Sequence, residues 1–290
     1  MPSIANTLAT SATLTVAAIA ALPMLGFTRS NSASHAAAMN ARSIALGIET
    51  MATDTGYYAP AFRTAPDGGI THYSATLVAG GYASPGDFTS PLAPGGGAPA
   101  AGEHVFQADR LAFTVNGAMM PPEPLQHSGT DRHYRQVARA QTLPQLLGRW
   151  VRPSDPVAPA TTLIVTEWLT DDNYAALAQG PTTMSHRPIV PFVGATAGRS
   201  PEREPVEGAT DAPFLYPIAA DVFGDNASFR ETLTSHGPTE INAMGRSHAG
   251  GRAAMVMLDG SVRLARPQES VEQRLWGTVF HSITGDGRVR

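Results

Sequence analysis

The sequence predicts an α+β protein in which a long amino-terminal helix packs on an antiparallel β-sheet head with long loops. Three observations carry this. An apolar run, Leu8–Phe27, is followed by a helix-periodic stripe that ends near Thr55. The segments after it are short, rich in β-branched and aromatic residues, and separated by glycine- and proline-rich stretches. Near the carboxy end an apolar segment, an Asp-Gly pair and an alternating segment read as a hairpin within 245–266.

The first element is the helix. No charged side chain precedes Arg29, and Leu8–Phe27 contains Val16, Ala17, Ile19 and Pro23 among other small or apolar residues. A helix of ~20 residues rises about 30 Å, enough to cross a hydrocarbon core, with Pro23 bending it. Ala33, Ala37, Ala41, Ile44, Ile48 and Met51 then recur at spacings of three or four, with Asn40, Arg42, Ser43, Glu49 and Thr50 on other faces. Gly56 and Pro60 end the pattern. The expected organisation is a helix over 1–56, apolar all round in its first half and amphipathic in its second, and a head over 57–290. The alternatives are a cleaved secretory signal, although Met1–Leu8 lacks the usual basic residues, and a buried soluble helix.

Within the head, Ile70–Ala79, His104–Val115 and Thr161–Trp168 are the strand candidates. Ser90–Glu103 and Ala197–Pro213 are loops by composition. Glu167 is the one carboxylate in an otherwise apolar strand. Its expected place is the solvent face of an edge strand, or a pairing with arginine.

At the carboxy end, Ala253–Leu258 suits a strand buried on two sides. Asp259-Gly260 suits a two-residue hairpin turn with positive φ at both positions. Val262 and Leu264 would then face inward and Arg263 outward. A six-residue strand is about 20 Å long, so His248 and Asp259 stand at its opposite ends and do not form an acid–base couple. Gly250 and Gly251 let the chain enter the sheet tightly. Pro267 to Trp276 reads as a closing helix with Gly277 just beyond it.

The composition restricts function. All 20 basic residues are arginine and the net charge is −4, which gives no nucleic-acid footprint. The absence of cysteine excludes disulfides, thiolate zinc sites and cysteine nucleophiles. Gly95–Gly97 lack the Lys-Ser/Thr of a phosphate loop, and the nine histidines are scattered singly. No catalytic constellation and no cofactor is expected; calcium held by Asp171, Asp172 and loop carbonyls is an alternative.

The stretch from Thr13 to Pro60, with "MNARSIALGIETMATDTGYYAP", together with "PATTLIVTEWLTDDNY" and "GRSHAGGRAAMVMLDGSVRLA", resembles bacterial type IV pilin-like proteins and type II secretion pseudopilins. In that resemblance His248, Gly250, Gly251, Asp259 and Gly260 form the family's carboxy-terminal motif. The family's processing sequence is not found, and Asn6 stands where its acidic residue is expected. The resemblance implies a non-catalytic structural protein. It would be anchored once in the bacterial inner membrane, with its head in the periplasm or outside the cell. Its partners would be membrane lipid and other pilin-like subunits, met through the small residues Ala17, Ala18, Ala20 and Ala21. The alternative is an exported soluble enzyme or binding protein with a cleaved signal.

Overall fold

The computed structural model describes residues 31–64, 70–99, 105–120, 147–148, 150–156, 158–168, 193–194, 205–208, 214–215, 244–277, 279–280 and 284–285. Among them the chain is α+β, with helices packed on mainly antiparallel sheets. Val16, Ala17, Ile19 and Pro23 lie outside the described residues, as do Asp171 and Asp172. No described helix is long and apolar enough to cross a membrane.

Helix α1 is described over residues 31–55. It then stops at Gly56, whose φ of 81° is left-handed and whose amide bonds back to the carbonyl of Ala52. Of the stripe expected from the sequence, Ala37, Ala41, Ile44, Ile48 and Met51 are buried and Ala33 is half-buried. Each fully buried isoleucine contributes about 1.5–3 kcal/mol. Gly47 sits where the carbonyl of Tyr82 crosses the helix, so close that a Cβ there would overlap that oxygen.

In the first part of the head, β1 (Phe62–Thr64) pairs antiparallel with β2 (Ile70–His72). The strand expected over Ile70–Ala79 stops at His72, because α2 (Tyr73–Ala79) begins there. His72 caps it by accepting from the amide of Ser74, and Tyr73, Ser74 and Leu77 are buried at helical spacing. The β-branched Thr76 and Val78 had suggested a strand, and this burial overrides their propensity. His104–Val115 is likewise not one strand. It divides into β4 (Val105–Phe106), β5 (Arg110–Leu111) and β6 (Phe113–Val115), after β3 (Ala98–Pro99). The Ala112 amide turns to the carbonyl of Phe88, which separates β5 from β6.

The main sheet has the order β13-β12-β8-β6, with β8 at Leu163–Glu167, β12 at Ala253–Met257 and β13 at Val262–Ala265. All its pairings are antiparallel. Register places Val115 opposite Val165, Val165 opposite Val256, and Val256 opposite Val262. Those residues share one face, and they share a core cluster with Ala41, Ile44 and Ile48 of α1. Phe113 pairs with Glu167, so Glu167 also belongs to the α1 side of the sheet. Both central strands, β8 and β12, are buried along their whole length.

The Asp-Gly turn differs from expectation. Gly260 has a φ of 77°, whereas Asp259 is not among the residues with positive φ. The Met257 amide bonds to the carbonyl of Ser261, and the Gly260 amide to the carbonyl of Met257. The loop is therefore three residues, Leu258–Asp259–Gly260, ending in a left-handed glycine. The extra residue fits the turn without forcing Asp259 into a left-handed conformation. Leu264 is 42% exposed rather than inward, on β13 at the edge of the sheet. The closing helix α3 is shorter than expected, Pro267–Glu272, with Pro267 in its first turn. Arg274 takes a φ of 54° and ends any continuation.

Two further two-stranded pairings and a second four-stranded sheet use short segments. They are β3–β5, β7 (Leu147–Gly148) with β15 (Thr284–Gly285), and the order β14-β10-β11-β9. In that sheet β9 is Val193–Gly194, β10 Pro205–Gly208, β11 Phe214–Leu215 and β14 Val279–Phe280.

Candidate functional site

Three chain segments bring polar side chains together at one end of the main sheet. Glu167 closes β8. His248 opens a tight hairpin in which its own amide bonds to the carbonyl of Arg252, and the Arg252 amide bonds back to His248. Gly250 and Gly251, with φ of 77° and 69°, make that reversal. Ser34 comes from the beginning of the described part of α1.

The segment leading to His248 is held against the end of β8 by two main-chain contacts. Met244 bridges to Trp168, and the Gly245 amide donates to the carbonyl of Glu167 at 2.8 Å. This close approach requires glycine. A Cβ at Gly245 would stand 2.8 Å from the Trp168 carbonyl oxygen and 2.9 Å from the Glu167 Cβ.

The side chains then form a chain of contacts. Ser34 Oγ lies 2.6 Å from His248 Nδ1. His248 Nε2 lies 2.9 Å from Glu167 Oε1, with both side chains almost fully sealed from water. Ser247 donates its hydroxyl to Glu167 Oε2 at 2.7 Å. The direction of the Ser34 contact depends on the tautomer of the ring: with the hydrogen on Nε2, facing the carboxylate, Nδ1 accepts from the Ser34 hydroxyl. Nε2 and Oε1 meet off the line of a good hydrogen bond, so they form a close electrostatic contact and not an aligned bond.

Glu167 therefore departs from its expected place. It is 2% exposed, on a central strand, and its partner is histidine rather than water or arginine. A carboxylate in this setting needs polar partners to offset its loss of hydration, and His248 and Ser247 supply them. Asp259 takes no part. It is exposed in the far turn, where its Oδ1 accepts from the Ser261 amide at 2.9 Å. Hydrogen bonds from Ser261, first its hydroxyl and then its amide, hold the Asp259 carboxyl below its ordinary range.

The sheet's length explains the separation of His248 and Asp259. Gly260 lies beside Leu46 of α1, where an added Cβ would be 3.5 Å from Leu46 Cδ2. Ser34 meets His248 at the other end. From Ser34 to Leu46 a helix rises about 18 Å, close to the length of a six-residue strand. Helix and strand thus run side by side, and the two motif ends face two different places on α1.

Among the described residues no group of three or more histidine or acidic side chains could hold a metal ion. Of Gly95–Gly97, Gly97 makes a close backbone approach. A Cβ on Gly97 would lie 2.6 Å from the carbonyl carbon of Leu111, where β3 meets β5.

No protein-family model matches the chain, and neither curated proteins nor solved structures provide a match. The arrangement stands on its own geometry.

The sequence reading missed Ser34, Ser247, Gly245 and Asn116. Ser34 had a readable signal, since it lies three and seven residues before Ala37 and Ala41 and so adjoins the buried stripe. Asn116 is fully buried. Its amide donates to the carbonyls of Leu163 at 2.9 Å and Trp276 at 3.2 Å, and its oxygen accepts from the Ala118 amide. It ties β8 to the segment after α3, and nothing in its local sequence marked it.

Proposed function

We propose that this chain is a membrane-anchored, pilin-like structural subunit of a type II secretion or type IV pilus-like assembly, without catalytic activity. The observation that carries the reading is the packing of α1. Its buried stripe forms part of the head's core, while the sequence ahead of it, Leu8–Phe27, is a long uncharged apolar run. A helix packed into its own head and preceded in the sequence by an apolar run suits an anchor that presents the head outside the membrane. The resemblance of "MNARSIALGIETMATDTGYYAP" and the His248…Asp259-Gly260 phrase to pseudopilins supports the same reading. Partners in an assembly would be other pilin-like helices.

Membrane fractionation and amino-terminal sequencing test it. The full chain should stay in membranes after alkaline carbonate washing, with Leu8–Phe27 retained. Release into the soluble fraction with a new terminus between Phe27 and Ala38 would overturn it. Cysteine at Met39, which is 40% exposed, should give crosslinks to itself or to other pilin-like subunits.

One observation favours a second reading, an exported serine-dependent hydrolase: the Ser34–His248–Glu167 contacts have the order of a nucleophile, base and orienting carboxylate. Against it, the His248 imidazole, which would have to pass a proton to a leaving group, is almost fully sealed from water. Covalent labelling by a fluorophosphonate, lost in Ser34→Ala, would establish the hydrolase.

A further inference from the structure

We propose that the Ser34–His248–Glu167 contacts form a polar clasp that docks the first turns of α1 on the head, and that these turns detach separately from the rest of the helix when the clasp is broken. The clasp lies within the head and α1 and is the same whether or not the protein is anchored.

The helix is held in two different ways along its length. From Ala41 to Ala52 its inward residues, among them Ile44, Ile48 and Met51, belong to the main hydrophobic cluster. Before Ala41 the inward side chains are small: Ala37 is buried and Ala38 partly buried, and each offers one methyl group. Asn40 marks the boundary, donating to the carbonyls of Thr89 at 2.9 Å and Gly86 at 3.4 Å. Beyond it, among the described residues, the Ser34 side chain reaches a buried polar group of the head.

That polar group is well prepared to receive it. His248 is fixed from behind by Glu167, which is fixed in turn by Ser247, and Gly245 permits the backbone contact that aligns them. The clasp therefore belongs to the rigid sheet, and Ser34 is its movable half. Small apolar contacts give the first turns little hold of their own, since burial energy scales with apolar area. A directional contact at Ser34 then decides whether they lie on the sheet or swing away, with Asn40 as the pivot. Regions with few buried apolar contacts are those that open locally without global unfolding.

Hydrogen exchange measured on the full chain tests this. Ser34→Ala removes one partly buried hydroxyl and leaves the core cluster untouched. Amides of residues 35–40 should lose protection by about five- to tenfold, the effect of one net hydrogen bond. Amides of residues 44–52 should be unchanged. Glu167→Gln, which loosens the sheet side, should show the same pattern more weakly. Thr50→Ala serves as the control, because that hydroxyl bonds within the helix to the carbonyl of Leu46. Equal loss along 35–52, or no change in 35–40 with Ser34→Ala, would overturn the proposal.

Discussion

Glu167 Oε1 and His248 Nε2 lie 2.9 Å apart inside the protein, joining the end of β8 to the start of the carboxy-terminal hairpin. The pair is informative because neither residue can be replaced without changing the other's surroundings. Removing one partner leaves a buried polar group without its contact, at a cost of about 1–3 kcal/mol. Glu167→Ala should cost that much in urea denaturation, and Glu167→Gln less, because the amide still offers Ser247 an acceptor. In a double-mutant cycle with His248→Ala, the coupling should exceed about 0.5 kcal/mol. Strict additivity would mean that the two side chains do not act together.

Gly245 and Gly260 are both needed, for different reasons. At Gly245 the obstacle is space, since a methyl group would press on the Trp168 carbonyl and on Glu167. Gly245→Ala should cost about 1–3 kcal/mol, as overpacking does. Gly260 has a left-handed φ and only Leu46 nearby. Gly260→Val should therefore be destabilising through backbone strain, whereas Gly260→Asn should recover much of the loss. Thermal melting of the three variants separates the cases. Equal melting temperatures for Val and Asn at position 260 would count against the strain argument.

The elements that the sequence made legible are those whose pattern is local. The stripe from Ala37 to Met51 alternates spacings of four and three for long enough to identify both the helix and its buried face. The continuous apolar run of β12 likewise identifies a strand covered on both sides. The clasp was not legible, because its members are far apart in the chain: Ser34 and His248 are separated by 214 positions. Glu167 was singled out as unusual, but its strand could not be recognised as central without knowing that β6 and β12 flank it. The segment Tyr73–Ala79 failed for another reason. Its β-branched residues favour a strand, and the cap at His72 with the packing of Leu77 makes it a helix.

Asn116 offers a test of the opposite end of β8. Its side chain makes three hydrogen bonds, two of them to carbonyls that belong to different segments. Asn116→Leu removes all three and leaves those main-chain groups buried. The expected loss is about 2–4 kcal/mol, taking each unsatisfied group near the low end of its usual cost. Trp276 is fully buried beside this contact, so its fluorescence should shift toward the red before global unfolding. A loss smaller than that of an ordinary surface substitution would show that other groups, or water, replace the amide.

The pH dependence of stability should carry two opposite contributions. Burial pushes the Glu49 carboxyl up, and the hydroxyl of Tyr58, donating at 2.9 Å, offsets this only in part. The folded protein therefore binds this proton more readily than the unfolded chain. Its favourable contribution is complete below the unfolded-state value and is lost as pH rises through the raised one. Asp259 has the reverse sign, because the Ser261 bonds lower its value. That contribution is present above the unfolded-state value and disappears as pH falls through the lowered one. Glu49→Gln should thus gain on the wild type as pH rises from acid toward neutral, since the amide still accepts from Tyr58. Asp259→Asn should be less stable than the wild type at neutral pH, with the gap closing in acid. Both groups are reached by water, so the differences should be modest and should shrink with added salt for the charged contacts. Urea denaturation at a series of pH values measures them. A pH-independent gap between Glu49→Gln and the wild type would remove burial as the cause of the raised value.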